Sequence, residues 1–158
     1  MSLTSLNDLY RQLILDHGQR PHHFAVLSHP DHRFNLSNSS CGDQIDLQLK
    51  LSSDQKQLTN IAFQGSGCTL STASASIMTD TVWNLPVKQV KQDIQLFQQM
   101  ILTGKVTDQM EACLGDATVF VSVHKVPSRI TCVTLAWHAL DKALTSSSQE
   151  ETFKPFRK

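Results

Sequence analysis

Between Gln44 and Leu51 the chain alternates with a period of two. Ile45, Leu47, Leu49 and Leu51 fall on one side, and Asp46, Gln48 and Lys50 on the other. That alternation predicts a half-buried strand. Ser52–Lys56 supplies a turn, and a second strand carrying Ile61 and Phe63 stops at Gly65-Ser66-Gly67. The two strands make an antiparallel hairpin, and the hairpin fixes where chemistry can sit. It brings the regions of residues 41 and 68 to the same end of a sheet. Cys41-Gly42-Asp43 lies at the mouth of the first strand, and Cys68 directly follows the glycines that end the second.

The flanking segments read as helices. Leu6, Leu9, Tyr10, Leu13 and Ile14 share one face of a helix over 5–17, with Ser5 and Asp8 suited to its start and Gly18 and Pro21 ending it. Residues 18–40 read as loop, and periodicity locates no strand there. The Ala/Ser-rich stretch 71–83 predicts a second helix. Pro86 at its first position and Gly104 just past its end bracket a third, along Val87, Val90, Ile94, Phe97 and Ile101. Residues 116–123 are ambiguous. Val119, Val121 and Val123 alternate like a strand, whereas Leu114, Ala117 and Val121 suit a helix. Pro127 opens a last helix, with Ile130, Val133, Trp137, Leu140 and Leu144 on one face. The reading is one domain over 1–144 and a polar, flexible tail over 145–158.

Lysine plus arginine equals aspartate plus glutamate, 14 against 14, so no global charge draws the chain to nucleic acid or a membrane. No apolar run reaches the roughly 18 residues of a membrane helix. The first residues, Met1 to Asn7, lack the basic and apolar regions of a targeting segment, so a cytoplasmic location is expected. In a reducing compartment four cysteines, Cys41, Cys68, Cys113 and Cys132, point to metal or thiol chemistry rather than disulfides.

Cys41, Asp43, Cys68 and Cys132 all fall at element ends, where chain reversals can assemble them. Zinc takes four tetrahedral ligands of these types. Gly42 permits the tight backbone path that would aim both Cys41 and Asp43 at one ion. The gaps are long, however, and each cysteine also fits the role of a small core hydrophobe. Arg129, one helical turn before Cys132, is placed to stabilise a thiolate or to hydrogen-bond a ligand; a plain surface salt bridge is the alternative. His22, His23, His29 and His32 fit no metal spacing and read as a solvated loop. His124 and His138 read as capping or surface residues.

Three separated motifs carry a resemblance. Ser40-Cys41-Gly42-Asp43 resembles N-P-x-C-G-D, Gly65-Ser66-Gly67-Cys68-Thr69-Leu70-Ser71 resembles G-x-G-C-x-I-S, and Pro127-Ser128-Arg129-Ile130-Thr131-Cys132 resembles P-x-R-x-x-C. These are similar to the IscU/SufU/NifU-N iron–sulfur cluster assembly family, and the likeness runs over about residues 6–144, from Leu9-Tyr10-Arg11 and Asp16-His17 to Trp137-His138. Thr131 stands where IscU-type scaffolds carry histidine, and the long stretch between Cys68 and Cys132 is similar to the SufU insertion. Asn38-Ser39-Ser40 replaces the family's Asn-Pro, which loosens that loop and removes no ligand.

The resemblance implies an α+β fold: a small antiparallel three-stranded sheet with helices on one face, the third strand near residues 30–37. It implies one zinc held by Cys41, Asp43, Cys68 and Cys132, with Cys113 outside the ligand set. It also implies a zinc-dependent sulfurtransferase partnering a SufS-like pyridoxal-phosphate cysteine desulfurase. The desulfurase docks at the site and frees Cys41, which takes sulfur from its persulfide for downstream assembly proteins. Free cysteine titrates near about 8.5, and coordination deprotonates it outright. Zinc would therefore keep the sulfurs as thiolates. The alternatives are a scaffold on which the same ligands build an iron–sulfur cluster, and a structural zinc domain that only binds partners.

Overall fold

The computed structural model describes residues 3–38, 42–145 and 148–152, with side chains over 8–38 and 42–145. Its sheet is built on the expected hairpin. Strands β1 (His32–Asn38), β2 (Asp43–Leu51) and β3 (Leu58–Ser66) pair antiparallel in sequence order, with Leu47 opposite Phe63 and Leu36 opposite Ile45. The period of two does what it predicts. Ile45, Leu47, Leu49, Ile61 and Phe63 are buried, together with Phe34 and Leu36 of β1. On β2, Asp46 turns outward and takes Arg33 of β1 in a two-pronged pair at 2.9 and 2.6 Å.

Helix α1 (Leu3–Gln19) starts two residues earlier than the periodicity predicts, so Ser5 lies within it rather than at its cap. Helices α2 (Thr69–Val82), α3 (Val87–Thr103), α4 (Asp108–Leu114) and α5 (Pro127–Thr145) follow. Pro86 is the N-cap of α3 and Gly104 its left-handed C-cap, at φ 69°. His124 donates from Nδ1 to the Ile101 carbonyl, capping the end of α3 as a C-terminal histidine can. Ala73, Ser74, Ala75 and Ser76 make α2 narrow and are all buried, so α5 approaches closely. Ser74 donates to the Val133 carbonyl at 2.6 Å and accepts from Trp137 Nε1 at 3.2 Å. Trp137 in turn stacks on Phe97 of α3 at 4.1 Å, which joins the helical layer.

The ambiguous stretch is neither strand nor α-helix but a 3-10 segment, Gly115–Lys125. Ala117, Phe120 and Val123 recur every three residues and are all buried, the spacing of a three-residue turn. The tail needs correction too. Ser148–Thr152 forms β4, parallel to β1, in a sheet ordered β3-β2-β1-β4. β4 covers the edge of β1 that β2 leaves free, and a polar segment suits an edge strand. Among the described residues no helix is long and apolar enough to cross a membrane.

Asp93 is a cost carried by α3. It is buried; Oδ1 accepts from Gln89 at 2.7 Å, while Oδ2 has no hydrogen-bond partner among the described residues. Burial raises its pKa above the ordinary carboxylate value. The folded state therefore binds this proton more tightly than the unfolded chain. The stabilising contribution is complete below the unfolded pKa and is lost as pH rises through the folded one. Asp93→Asn is expected to add roughly 1 kcal/mol at neutral pH. The gain should vanish in acid, read from urea midpoints at both pH values.

Candidate metal centre

Asp43 opens β2, Cys68 is the N-cap of α2, and Cys132 lies on the second turn of α5. The hairpin register sets Gln44 opposite Ser66, so Asp43 and Cys68 meet at one sheet end. The α2–α5 packing then carries Cys132 to the same point. One ligand atom from each of the three lies within 4.8 Å of the others. Asp43 is 1% exposed, Cys132 is fully buried and Cys68 is half-buried.

Local backbone holds this cluster. Asp43 Oδ1 accepts the Cys68 backbone N–H at 2.9 Å, so the carboxylate is oriented by the residue whose thiol it accompanies. Gly67 makes the contact possible, because a Cβ there would stand 2.5 Å from Asp43 Oδ1. Gly67→Ala is expected to push the carboxylate aside and weaken metal binding about tenfold or more, with little change in helix content. Competition against a chelating dye measures it. Gly42 takes φ 73°, a left-handed conformation that favours glycine, between Cys41 and Asp43. The N-terminus of α2, with its partial positive charge, faces the cluster and favours negative ligands there.

A buried carboxylate and two thiols within reach of one ion form the donor set of zinc and of other thiophilic metals. Residues 43, 68 and 132 fit such an ion. Cys41, the fourth expected ligand, lies outside the described residues. Arg129 is exposed and has no ion pair among the described residues, so the salt-bridge alternative is not formed there. Cys113 is half-buried on α4, with Gln89 Nε2 at 3.8 Å from its sulfur, away from the cluster.

The histidine loop is not merely solvated, which corrects the sequence reading. Phe24 bridges to Phe63, and His23 accepts the Phe63 N–H through its carbonyl, so residues 23–25 lie along the edge of β3. His22 and His23 both reach Asp80 at the end of α2. Asp80, absent from every sequence-based candidate, is the residue that periodicity had no means to single out.

The sequence profile of the NifU-like N-terminal domain matches residues 9–152. The chain is 39% identical over 151 residues to the iron–sulfur cluster assembly scaffold protein IscU of Streptococcus pyogenes serotype M1, covering 96% of this chain and 92% of that one. It is 35% identical over 140 residues to the zinc-dependent sulfurtransferase SufU of Bacillus subtilis (strain 168), covering 89% and 92%. Among solved structures, a hypothetical protein superposes with a TM-score of 0.80 at 38% identity, covering 89% of this chain and 99% of that one. A protein assigned as a scaffold of the SUF system in Fervidobacterium islandicum AW-1 gives 0.77 at 26%, covering 84% and 94%.

Proposed function

The chain belongs to the NifU-like N-terminal domain family, and we propose that it serves iron–sulfur cluster assembly as a zinc-dependent sulfur acceptor for a cysteine desulfurase. The observation that carries this is the meeting of Asp43, Cys68 and Cys132 at one point with Cys41 two residues from Asp43. The 35% likeness to a zinc-dependent sulfurtransferase supports it. So does Thr131, which leaves Asp43 as the oxygen donor before a third cysteine without a neighbouring histidine.

Zinc, when bound, would supply a redox-inert charge that keeps its sulfur ligands deprotonated. Asp43, Cys68 and Cys132 are anchored in β2, α2 and α5 and hold the site. Cys41 is assigned as the sulfur acceptor. Its thiolate attacks the outer sulfur of a persulfide on the desulfurase. The persulfide S–S bond breaks, the desulfurase cysteine departs as thiolate, and Cys41 gains the outer sulfur with its proton. Arg129, exposed near the start of α5, is assigned to favour the anionic sulfur.

A second reading, a scaffold for an iron–sulfur cluster, is favoured by the 39% likeness to a protein of that name, and the same thiolates suit a cluster. The test uses protein purified without added metal and incubated with a desulfurase and cysteine. One zinc per chain and a Cys41 peptide carrying one additional sulfur atom are expected. Iron in place of zinc, with no sulfur on Cys41 and a persistent brown chromophore, would overturn the proposal in favour of the scaffold.

A further inference from the structure

We propose that His17, His22 and Asp80 form a second divalent transition-metal site, separate from the thiolate centre. The residues come from three segments: α1, the loop after it, and the last turn of α2. One ligand atom from each lies within 4.8 Å of the others. Cys68 and Asp80 stand twelve residues apart on one helix, about 18 Å at 1.5 Å per residue, so the two clusters occupy opposite ends of α2.

The cluster has the supporting partners that metal-binding histidines use. His17 is buried, and its Nδ1 lies 2.7 Å from Ser76 Oγ, which also accepts the His22 backbone N–H at 2.7 Å. In the tautomer that carries its proton on Nδ1, against Ser76, the Nε2 lone pair of His17 is available for a ligand role. Burial, and then the neighbouring His22, lower the His17 pKa, which favours the neutral imidazole that binds metal. Asp80 is held from its other side by His23, at 3.0 Å from Oδ1, and His23 stacks on Trp83 at 4.3 Å. The His22 ring is exposed, with Nδ1 2.5 Å from Asp80 Oδ2, and an ion entering there would replace that hydrogen bond.

A cleft of about 230 Å³ opens against His17 and Asp80, with Thr81, Cys113 and Asp116 on its other walls. It leaves room for water or a small anion on the ion. Two imidazoles and one carboxylate with open positions suit iron(II), cobalt(II) or zinc. The bland reading is that His22 and His23 form surface ion pairs with Asp80. Those ion pairs, however, involve only His22 and His23, and give no account of a buried His17 with a ring nitrogen within 4.8 Å of the same ligand atoms.

The protein as isolated, with its metal content measured first, is titrated with Co²⁺ in equilibrium dialysis. The expected result is one Co²⁺ per chain beyond those at the thiolates. It should appear without sulfur-to-cobalt charge-transfer absorption and with quenching of Trp83 emission. His22→Ala and Asp80→Asn, both at exposed positions, should each weaken that equivalent at least about tenfold while leaving the thiolate-bound metal unchanged. Two results would overturn the site: binding that always carries the thiolate band, or an additional equivalent that persists unweakened in both variants.

Discussion

Cys132→Ser is expected to lose its metal and to unfold roughly 10–30 °C below the parent protein. The serine would sit fully buried on α5, between β2 and the start of α2, where Cys132 has no exposed surface. Two costs add there. A bound ion stabilises the folded state by about 4 kcal/mol when its concentration exceeds its dissociation constant about a thousandfold. A buried hydroxyl that loses its partner costs about 1–3 kcal/mol more. For a domain of this size each kcal/mol shifts the midpoint by a few degrees. Chelated parent protein separates the two terms. Its midpoint should fall by most of the same interval, and a chelator should then do nothing further to Cys132→Ser. If the variant keeps a full equivalent of zinc, Cys132 is not a ligand and the centre is misassigned.

The hairpin was legible because Ile45, Leu47 and Leu49 mark the dry face of β2 against polar Gln44, Asp46 and Lys50, although Gln48 on that polar side is buried too, its Oε1 accepting the Leu27 N–H. β1 was not. Its His-Arg-Phe-Asn-Leu-Ser-Asn run alternates, but Phe34 and Leu36 are too few to stand out in a polar stretch, and the family likeness alone placed it. The 3-10 segment escaped because its period of three lies between the two templates usually compared, and Phe120, its middle contact, belonged to neither. β4 escaped because Ser148–Thr152 contains no hydrophobic residue to mark a face, and its place beside β1 is given by backbone pairing. At the Asp43, Cys68 and Cys132 cluster the donor types were visible in the residues, but not their convergence. That depends on the narrow Ala/Ser face of α2, which lets α5 bring Cys132 within reach of Asp43 and Cys68. The second cluster was invisible for the same reason, since His17, His22 and Asp80 span three elements and Asp80 carries no motif.

Asp43→Ala is the change that separates sulfur transfer from scaffolding. Its carboxylate is buried, is expected to complete the ligand set, and accepts the Cys68 N–H. Alanine removes all of this, whereas Asp43→Asn keeps an acceptor for that N–H and removes the charge. In a zinc sulfur acceptor, losing the oxygen ligand leaves three thiolates and an open position. Departure of Cys41 would then leave only Cys68 and Cys132 on the ion. Zinc affinity and desulfurase stimulation should therefore fall together, each by about tenfold or more. Asp43→Asn should fall nearly as far, because a neutral amide is a poor zinc ligand. If Asp43→Asn behaves like the parent and only alanine is impaired, the carboxylate serves the Cys68 loop rather than the ion. In a scaffold the outcome inverts. An oxygen donor among thiolates is the exchangeable ligand that lets a cluster leave, so its loss should prolong the visible absorbance of protein reconstituted with iron and sulfide. Sulfide production by a partner desulfurase and the decay of that absorbance are measured on the same preparations. Reduced stimulation without a lasting chromophore is the expected result; normal stimulation with a newly persistent cluster would assign the centre to cluster building.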